Sequence, residues 1–205
     1  MKIRTAASAA LVLTTALALA GCADNGNASG GMSGMDHGGS SSSSSSSAAP
    51  AANANDADIM FASMMIEHHT QAIDMSDTLL AKDGIDERVT ALAEQIKAAQ
   101  QPEIDQLQGW LDEWGADTAD MDMEGMDHSG GMMTEEDMQA LDTATGTEAS
   151  RLFLEQMIEH HTGAIDMAQD QVDNGQNPDA VDLAQKIIDD QTAEIATMED
   201  ILASL

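Results

Sequence analysis

The chain of 205 residues contains one cysteine, Cys22, and this scarcity excludes several kinds of protein. A single thiol cannot form an internal disulfide or a Cys-x-x-Cys metal site. Basic residues are also scarce, with 7 Lys and Arg against 37 Asp and Glu, which gives a formal net charge of −30. Such a surface repels nucleic acid and anionic headgroups, because phosphate binding depends on Lys and Arg. We therefore expect no nucleic-acid partner.

Aromatic side chains are nearly missing, whereas methionine is abundant. The chain has two Phe, two Trp and no Tyr, but 16 Met. Methionine is a good helix former, yet it is flexible and specifies a core poorly. Its thioether is also a soft ligand that favours Cu(I). The composition therefore indicates helices, soft-metal chemistry, or both.

The first 21 residues have the pattern of a lipoprotein signal peptide. Lys2 and Arg4 precede an apolar run over residues 6–20, which is too short for a stable transmembrane helix. The run leads into Leu-Ala-Gly-Cys, which resembles a bacterial lipobox and predicts a diacylated Cys22 at the mature N-terminus. An ordinary signal peptide that leaves Cys22 free is the alternative. Either pattern predicts an exported protein facing the periplasm or cell exterior, and lipidation would make its anchor the only membrane contact.

Residues 22–55 are rich in Gly, Ser, Ala and Asn, with an uninterrupted serine run at 40–47. Such a segment cannot bury enough apolar area to offset the entropy of ordering it. We predict a disordered tether between the membrane anchor and a folded domain of residues 56–205.

The folded domain is an internal repeat. Residues 66–75, IEHHTQAIDM, recur almost unchanged as IEHHTGAIDM at 158–167, and matched positions continue from 92–111 to 183–202. One half spans residues 56–114 and the other 147–205, and each half has the signals of two helices. The prediction is an all-α fold, a ferritin-like four-helix bundle made of two repeated helical hairpins.

Capping signals set the expected helix ends. Asp56, Asp86 and Thr147 can cap the first three long helices, and Asn177 followed by proline suits the start of the fourth. Pro102 is expected to kink the second helix. The Met-rich connection 115–146 includes a short helix that Thr134 opens. It is long enough to cross the bundle, which would set the first and third long helices antiparallel.

The repeated segment places Met and His side chains on one helix face. At 100° per residue, the two Met and two His of the first copy fall within about 120°, on the side expected to face the core. The first Met lies three and four residues before the two His, so these side chains are neighbours. The second Met is about 10 Å along the axis and should complete a site with another helix. The candidate metal ligands are Met65, His68, His69 and Met75, and then Met157, His160, His161 and Met167.

Core packing is the alternative interpretation of this face, because buried Met is common and a lone buried His is often hydrogen-bonded. Packing alone does not demand adjacent histidines twice, and burying four unpaired imidazoles is costly. We therefore favour ligands for the histidines and leave Met75 and Met167 open between the two roles. Glu67 and Glu159 fall at the edge of the face and are not expected to bind the metal.

Two Gly-Met-Asp-His segments lie outside the helices. One contains Met35 and His37 in the tether, and the other contains Met126 and His128 in the crossover. An acidic low-complexity linker is the alternative, but methionine suits a solvated linker poorly. We interpret these four residues as auxiliary metal ligands.

The pattern Met-x-x-His-His-x-x-Ala-x-x-Met, followed by Gln-x-x-Glu-Ile, resembles the bacterial domain-of-unknown-function family 305. The resemblance covers residues 56–205 and both copies of the motif. It implies a ferritin-like helical bundle in an exported protein associated with copper or silver. The family motif falls on the eight Met and His ligands given above.

The sequence thus predicts a non-enzymatic copper-binding protein that buffers Cu(I), or Ag(I), or hands it to copper-handling partner proteins. A helical interaction or stalk protein of the cell envelope is the alternative. A di-metal oxidase is disfavoured because no Glu or Asp is followed by His three residues later, as Glu-x-x-His requires. Neither a phosphate loop nor a nucleophile motif is present.

Overall fold

The computed structural model describes residues 53–116 and 130–205, and these residues form five helices without a strand. Four helices are long and one is short, as the repeat and the crossover predict. The helices are α1 (Asp56–Leu80), α2 (Glu87–Trp114), α3 (Glu135–Thr143), α4 (Gly146–Asn174) and α5 (Pro178–Leu202).

The N-terminal caps of α1 and α4 differ from the expected ones. Asn55, rather than Asp56, caps α1 in a reciprocal capping box with Asp58. Thr145, rather than Thr147, precedes α4 and makes no side-chain cap hydrogen bond, and Gly146 has a positive φ of 57° at the junction, a conformation that glycine adopts readily. The Asn55 side chain accepts a hydrogen bond from the Asp58 N–H, so α1 begins one residue earlier than expected.

The other helix ends follow their sequence signals. Asp86 caps α2, Thr134 caps α3, and Asn177 caps α5 with proline in its first turn. Gly115 ends α2 in the left-handed conformation, with a φ of 64°. Helix α2 runs through the exposed Pro102 to that glycine.

The two hairpins pack through α1 and α4, with α2 against α1 and α5 against α4. Helices α1 and α4 are antiparallel. The Asn55 amide, at the start of α1, donates to the Asn174 carbonyl at the end of α4, 2.9 Å away. At the other end, a Cβ on Gly84 would lie 3.7 Å from the Gly146 Cα. The antiparallel arrangement expected from the long crossover is therefore confirmed.

The apolar interior has two clusters along the bundle. One contains Phe153, Met75 and Met157, and the other contains Phe61 and Met65. None of the helices in the described ranges is long and apolar enough to cross a membrane.

Candidate metal centre

The two copies of the repeated motif meet at the middle of the bundle. Because α1 and α4 are antiparallel, the His68 and His160 rings face one another, with centroids 3.7 Å apart and planes tilted by 42°. Both side chains are buried, with exposed fractions of 1% and 0%. The predicted half-sites therefore face a common interior rather than opposite sides of the bundle.

Each remaining histidine is held by a carboxylate from the neighbouring helix of its own hairpin. His69 Nε2 lies 2.9 Å from Glu103 Oε2, and His161 Nε2 lies 2.8 Å from Glu194 Oε2. In a neutral imidazole whose Nε2–H donates to the carboxylate, the lone pair is on Nδ1. This arrangement, in which a carboxylate orients the imidazole, is the one that commonly supports a metal-ligating histidine.

The two carboxylates have different surroundings. Glu103 also accepts a hydrogen bond from Lys186 Nζ at 2.9 Å, and Lys186 reaches Asp190 as well. Burial alone would raise the pKa of Glu103, but the hydrogen bonds from His69 and Lys186 outweigh it and hold this pKa below its usual value. Glu103 is therefore an anion at neutral pH, in spite of its burial.

The central imidazoles are held neutral. Burial lowers the pKa of His68 to about 3, although its contact with the Gly130 carbonyl opposes the shift. Burial, followed by the nearby His68 ring, also lowers the pKa of His160 well below its usual value. The neutral His68 ring donates from Nε2 to the Gly130 oxygen at 2.9 Å, which leaves its lone pair on Nδ1.

Most ring nitrogens in this interior have no hydrogen-bond partner among residues 53–116 and 130–205. The unpaired atoms are Nδ1 of His68, His69 and His161, and both Nδ1 and Nε2 of His160. Buried polar groups are normally paired, and leaving them unpaired costs free energy. The unusual feature of this core is thus a set of buried ring nitrogens without a hydrogen-bond partner in the described part of the chain.

The predicted methionine ligands lie in and around the same interior. Met65, Met75 and Met157 are fully buried, whereas Met167 is partly exposed. The antiparallel helices pair them crosswise: Met75 shares one apolar cluster with Met157, and Met167 packs against the cluster of Met65. Each second methionine of the motif therefore packs in or against the same apolar cluster as the first methionine of the other copy.

A stretch of the crossover, residues 130–133, lies over this site. Its backbone approaches α4 so closely that a Cβ on Gly163 would be 1.8 Å from the Gly130 oxygen. Gln71 fixes the other end: its amide donates to the Met133 carbonyl at 2.8 Å and accepts from the Met133 N–H at 2.7 Å. We call residues 130–133 the crossover strap.

Sequence reasoning missed the two carboxylates and the crossover strap. Glu103 and Glu194 are the acidic residues of the recurring Gln-x-x-Glu-Ile, and that recurrence is the signal for them. The exchange of Gln71 for Gly163, inside an otherwise conserved repeat, was the signal for the strap. The predictions for Cys22, Met35, His37, Met126 and His128 concern positions outside the described residues.

In the part of the chain that is described, no three His, Cys, Asp or Glu side chains converge to hold one ion. The donors that are present are imidazole nitrogens and thioether sulfurs. This combination suits soft ions such as Cu(I) better than Mg²⁺ or Ca²⁺, which prefer oxygen ligands. The residues therefore fit a soft metal, with sulfur as part of its ligand set.

The sequence model of the family described as "Domain of unknown function (DUF305)" matches residues 58–202. Comparison with curated proteins gives no match.

Several solved structures are similar over nearly their whole length. A DUF305 fragment from Deinococcus radiodurans is 31% identical, with a TM-score of 0.67, and the match covers 75% of this chain and 100% of that one. A DUF305 protein from Streptomyces coelicolor, assigned as secreted, is 35% identical with a TM-score of 0.65, covering 72% and 93%. CopM in its Cu(I)-bound form is 31% identical with a TM-score of 0.59, covering 72% and 96%. CopM has also been solved in an Ag-bound form.

Proposed function

This chain belongs to the DUF305 family, and on that premise we propose that it is an exported copper-binding protein. It holds Cu(I), or Ag(I), with the His and Met side chains of its bundle. It buffers the ion or passes it to other copper-handling proteins of the cell envelope. It acts as a binding protein and not as an enzyme.

One observation carries the proposal, namely the unpaired imidazole nitrogens in the core. His160 has no hydrogen-bond partner for either ring nitrogen among the described residues, and it is fully buried. A histidine that served only packing would be replaced at lower cost by an apolar side chain, because buried unpaired polar atoms destabilise the fold. A bound soft cation would use these lone pairs and offset that cost.

The carboxylates strengthen the case for His69 and His161. Each imidazole is oriented through Nε2 by Glu103 or Glu194, so that Nδ1 carries the lone pair. This second contact fixes the ring and increases the basicity of its free nitrogen. Both features favour metal binding at Nδ1.

The identity of the metal is supported by the relatives and by the donors. CopM, at 31% identity, has been solved with Cu(I) and with Ag. Thioethers such as those of Met65 and Met157 select soft ions. A ferritin-like di-iron site would instead need carboxylates in Glu-x-x-His pairs, and here Glu103 and Glu194 are occupied by imidazole hydrogen bonds.

Export and anchoring belong to the same proposal. The S. coelicolor relative is assigned as secreted, and residues 1–21 have the pattern of a lipoprotein signal peptide. Mass spectrometry of the protein from a membrane fraction should show a diacylated Cys22 at the N-terminus. An unmodified Cys22 within an exported chain would contradict anchoring without contradicting export.

Anaerobic Cu(I) titration against a chromophoric chelator tests the metal site. We compare the intact chain with His160→Leu/His161→Leu and with a control, Glu159→Gln, which changes an exposed neighbour on the same helix. The double variant should lose at least one copper equivalent or more than tenfold in affinity, whereas the control should bind as the intact chain does. Circular dichroism checks that all three proteins are helical.

Two results would overturn the proposal. If the intact protein does not bind Cu(I) more tightly than Zn²⁺ or Mg²⁺, the copper function is wrong and the interaction or stalk role becomes the better explanation. If the double variant folds and binds as well as the intact chain, the bundle histidines are core residues.

A further inference from the structure

A small cavity beside the central histidines is lined by three methionines, two of which, Met64 and Met132, do not belong to the repeated motif. It has a volume of 140 Å³ and lies between α1, α4 and the crossover strap. Its lining residues are Met64, Glu67, His68, Gly130, Met132 and Met167. Three thioethers from three separate elements therefore surround one space.

The backbone around this cavity is fixed by several contacts. On one side of Met132, the Gly130 carbonyl accepts a hydrogen bond from His68, and on the other side Met133 is paired with Gln71. Gly131 has a φ of 79°, and a Cβ there would lie 2.6 Å from the Glu159 carbonyl. The Met132 backbone is thus held between two anchors, which places its side chain at the cavity without further ordering.

Two of the three methionines have no methionine at the matching position of the other half. The position that matches Met64 in the second half is Gln156, whose amide donates to the Asp137 carbonyl at 2.9 Å. Met132 is in the crossover and has no counterpart at all. Met64 and Met132 therefore cannot be inherited from the duplicated motif, which supplies only Met167, and they need a separate reason.

Simple packing does not account for these side chains. Met64, Met132 and Met167 are all partly exposed, whereas Met65, Met75 and Met157, the other three motif methionines, are fully buried. Partly exposed methionines that line an open cavity leave their sulfur atoms accessible to a ligand. Glu67, exposed at the rim, supplies the negative charge that a cation surrounded by neutral thioethers needs.

We propose that Met64, Met132 and Met167 form a separate thioether site for a monovalent soft cation, Cu(I) or Ag(I), at the surface of the bundle. This inference rests on the proposed function and adds an entry position to it. His68 lines the cavity and its ring also lies against the His160 ring, so the site lies next to the buried centre. An ion captured here reaches the inner imidazoles by exchange of neighbouring ligands.

Silver titration of the full-length chain tests the site, because Ag(I) is soft and does not change oxidation state. The variant is Met64→Leu/Met132→Leu, since exchanges between Met and Leu conserve volume and usually cost less than about 1.5 kcal/mol. The matched control is Met60→Leu, one turn away on α1, which lines the adjoining cavity but not this one. If the double variant does not fold, Met132→Leu alone carries the test, because Met132 lies outside the helices.

The double variant should bind one silver equivalent fewer than the intact chain, and the control should bind the same number. In the intact chain labelled with ¹³C at the methionine methyls, the signals of Met64, Met132 and Met167 should shift together in one step of the titration. An unchanged silver count in the double variant, or a shift of Met167 alone, would overturn the site.

The two proposals fail in different ways. If the intact chain binds no Ag(I) or Cu(I), both are wrong. If His160→Leu/His161→Leu loses an equivalent while Met64→Leu/Met132→Leu loses none, copper binding stands and the surface thioether site is wrong.

Discussion

The two halves of the repeat are most alike where an imidazole meets a carboxylate and least alike where the crossover strap lies over them. His69 with Glu103 and His161 with Glu194 have nearly the same distance, 2.9 and 2.8 Å, in equivalent places. Around the strap, by contrast, Gln71 in the first half corresponds to Gly163 in the second. The duplication thus keeps the chemistry of the centre and changes its surroundings.

Because of this difference, the crossover strap contacts the two otherwise matching hairpins in different ways. Gly163 provides the space in which the strap backbone lies, and Gln71 provides the hydrogen bonds that hold it. His68 consequently has a carbonyl partner at Gly130, whereas His160 has no hydrogen-bond partner within the described ranges. Two imidazoles in contact therefore have different environments, and substitutions can separate their roles.

The largest expected effect is on the free energy of unfolding, and it comes from replacing the two phenylalanines that match in the repeat, Phe61 and Phe153. Phe153 is completely buried, whereas Phe61 borders a cavity of 390 Å³. Phe153→Ala should cost about 4 kcal/mol of unfolding free energy, because it leaves a closed void, and Phe61→Ala about 3 kcal/mol or less, because its site is open to solvent. Urea unfolding of both variants checks the order, which an equal loss or a reversed order would contradict.

The buried imidazoles of His68 and His160 predict how the stability of the metal-free protein depends on pH. Because the pKa of His68 falls to about 3 on folding, the unfolded chain takes up a proton below pH 6.5 that the folded chain excludes. Stability is therefore complete above about pH 6.5 and decreases as the pH falls towards 3, by about 2 kcal/mol from His68 at pH 5. His160, whose pKa is also lowered, adds to the loss.

Urea midpoints of the chelator-treated protein at pH 7 and pH 5 measure this dependence. His68→Leu/His160→Leu provides the control and should show a smaller decrease between the two pH values. Equal midpoints at pH 7 and pH 5 in the intact chain would show that these imidazoles can be protonated in the folded state.

Single replacements of the same two histidines should have opposite signs in the metal-free protein. His160→Leu removes two unpaired nitrogens and should raise stability by about 1 kcal/mol, whereas His68→Leu breaks the hydrogen bond to Gly130 and should lower it by about 1 to 2 kcal/mol. Both should weaken Cu(I) binding. Thermal unfolding without metal measures the signs, and a destabilising His160→Leu would indicate that His160 is a packing residue.

Local signals were sufficient for most of the fold. Asp86 and the Asn177–proline pair cap helices where the sequence predicts, and Gly115 ends α2 because it takes a left-handed conformation. The burial of Met65, His68, His69 and Met75 follows from their spacing alone, since one helix face can be deduced from periodicity. The length of the crossover implied that α1 and α4 are antiparallel.

The partners of the site residues were not predictable in the same way. His69 meets Glu103 across 34 positions of the chain, and this pairing depends on the relative rotation of α1 and α2, which no local pattern fixes. Gly163 was visible only as a departure from the repeat. The reason for it, the carbonyl of Gly130, comes from a segment that crosses both helices.

Two helical glycines test the contact between the strap and α4. Gly109 has open space around it, so Gly109→Ala should stabilise α2 by about 1 kcal/mol through helix propensity. Gly163→Ala would place a Cβ 1.8 Å from the Gly130 oxygen and displace the strap. The lost hydrogen bonds of His68 and Gln71 should outweigh the propensity gain and leave a net cost of about 1 kcal/mol. Equal stabilisation by both substitutions, measured by thermal unfolding, would show that the strap is not held against α4.

The smallest expected effect concerns Lys186, which forms an ion pair with Glu103, whereas Glu194 has no lysine at the matching position. Gln95 is at the position that matches Lys186, and it lines the cleft between α2 and α5 together with Glu194. Gln95→Lys should give Glu194 the ion pair that Glu103 already has. Since the side chain of Lys186 is 56% exposed, we expect a gain of only about 0.5 kcal/mol. A gain that disappears in 1 M salt, measured against Gln95→Met as an uncharged control, would support the new pair; a gain that salt does not change would point to packing by the lysine stem instead.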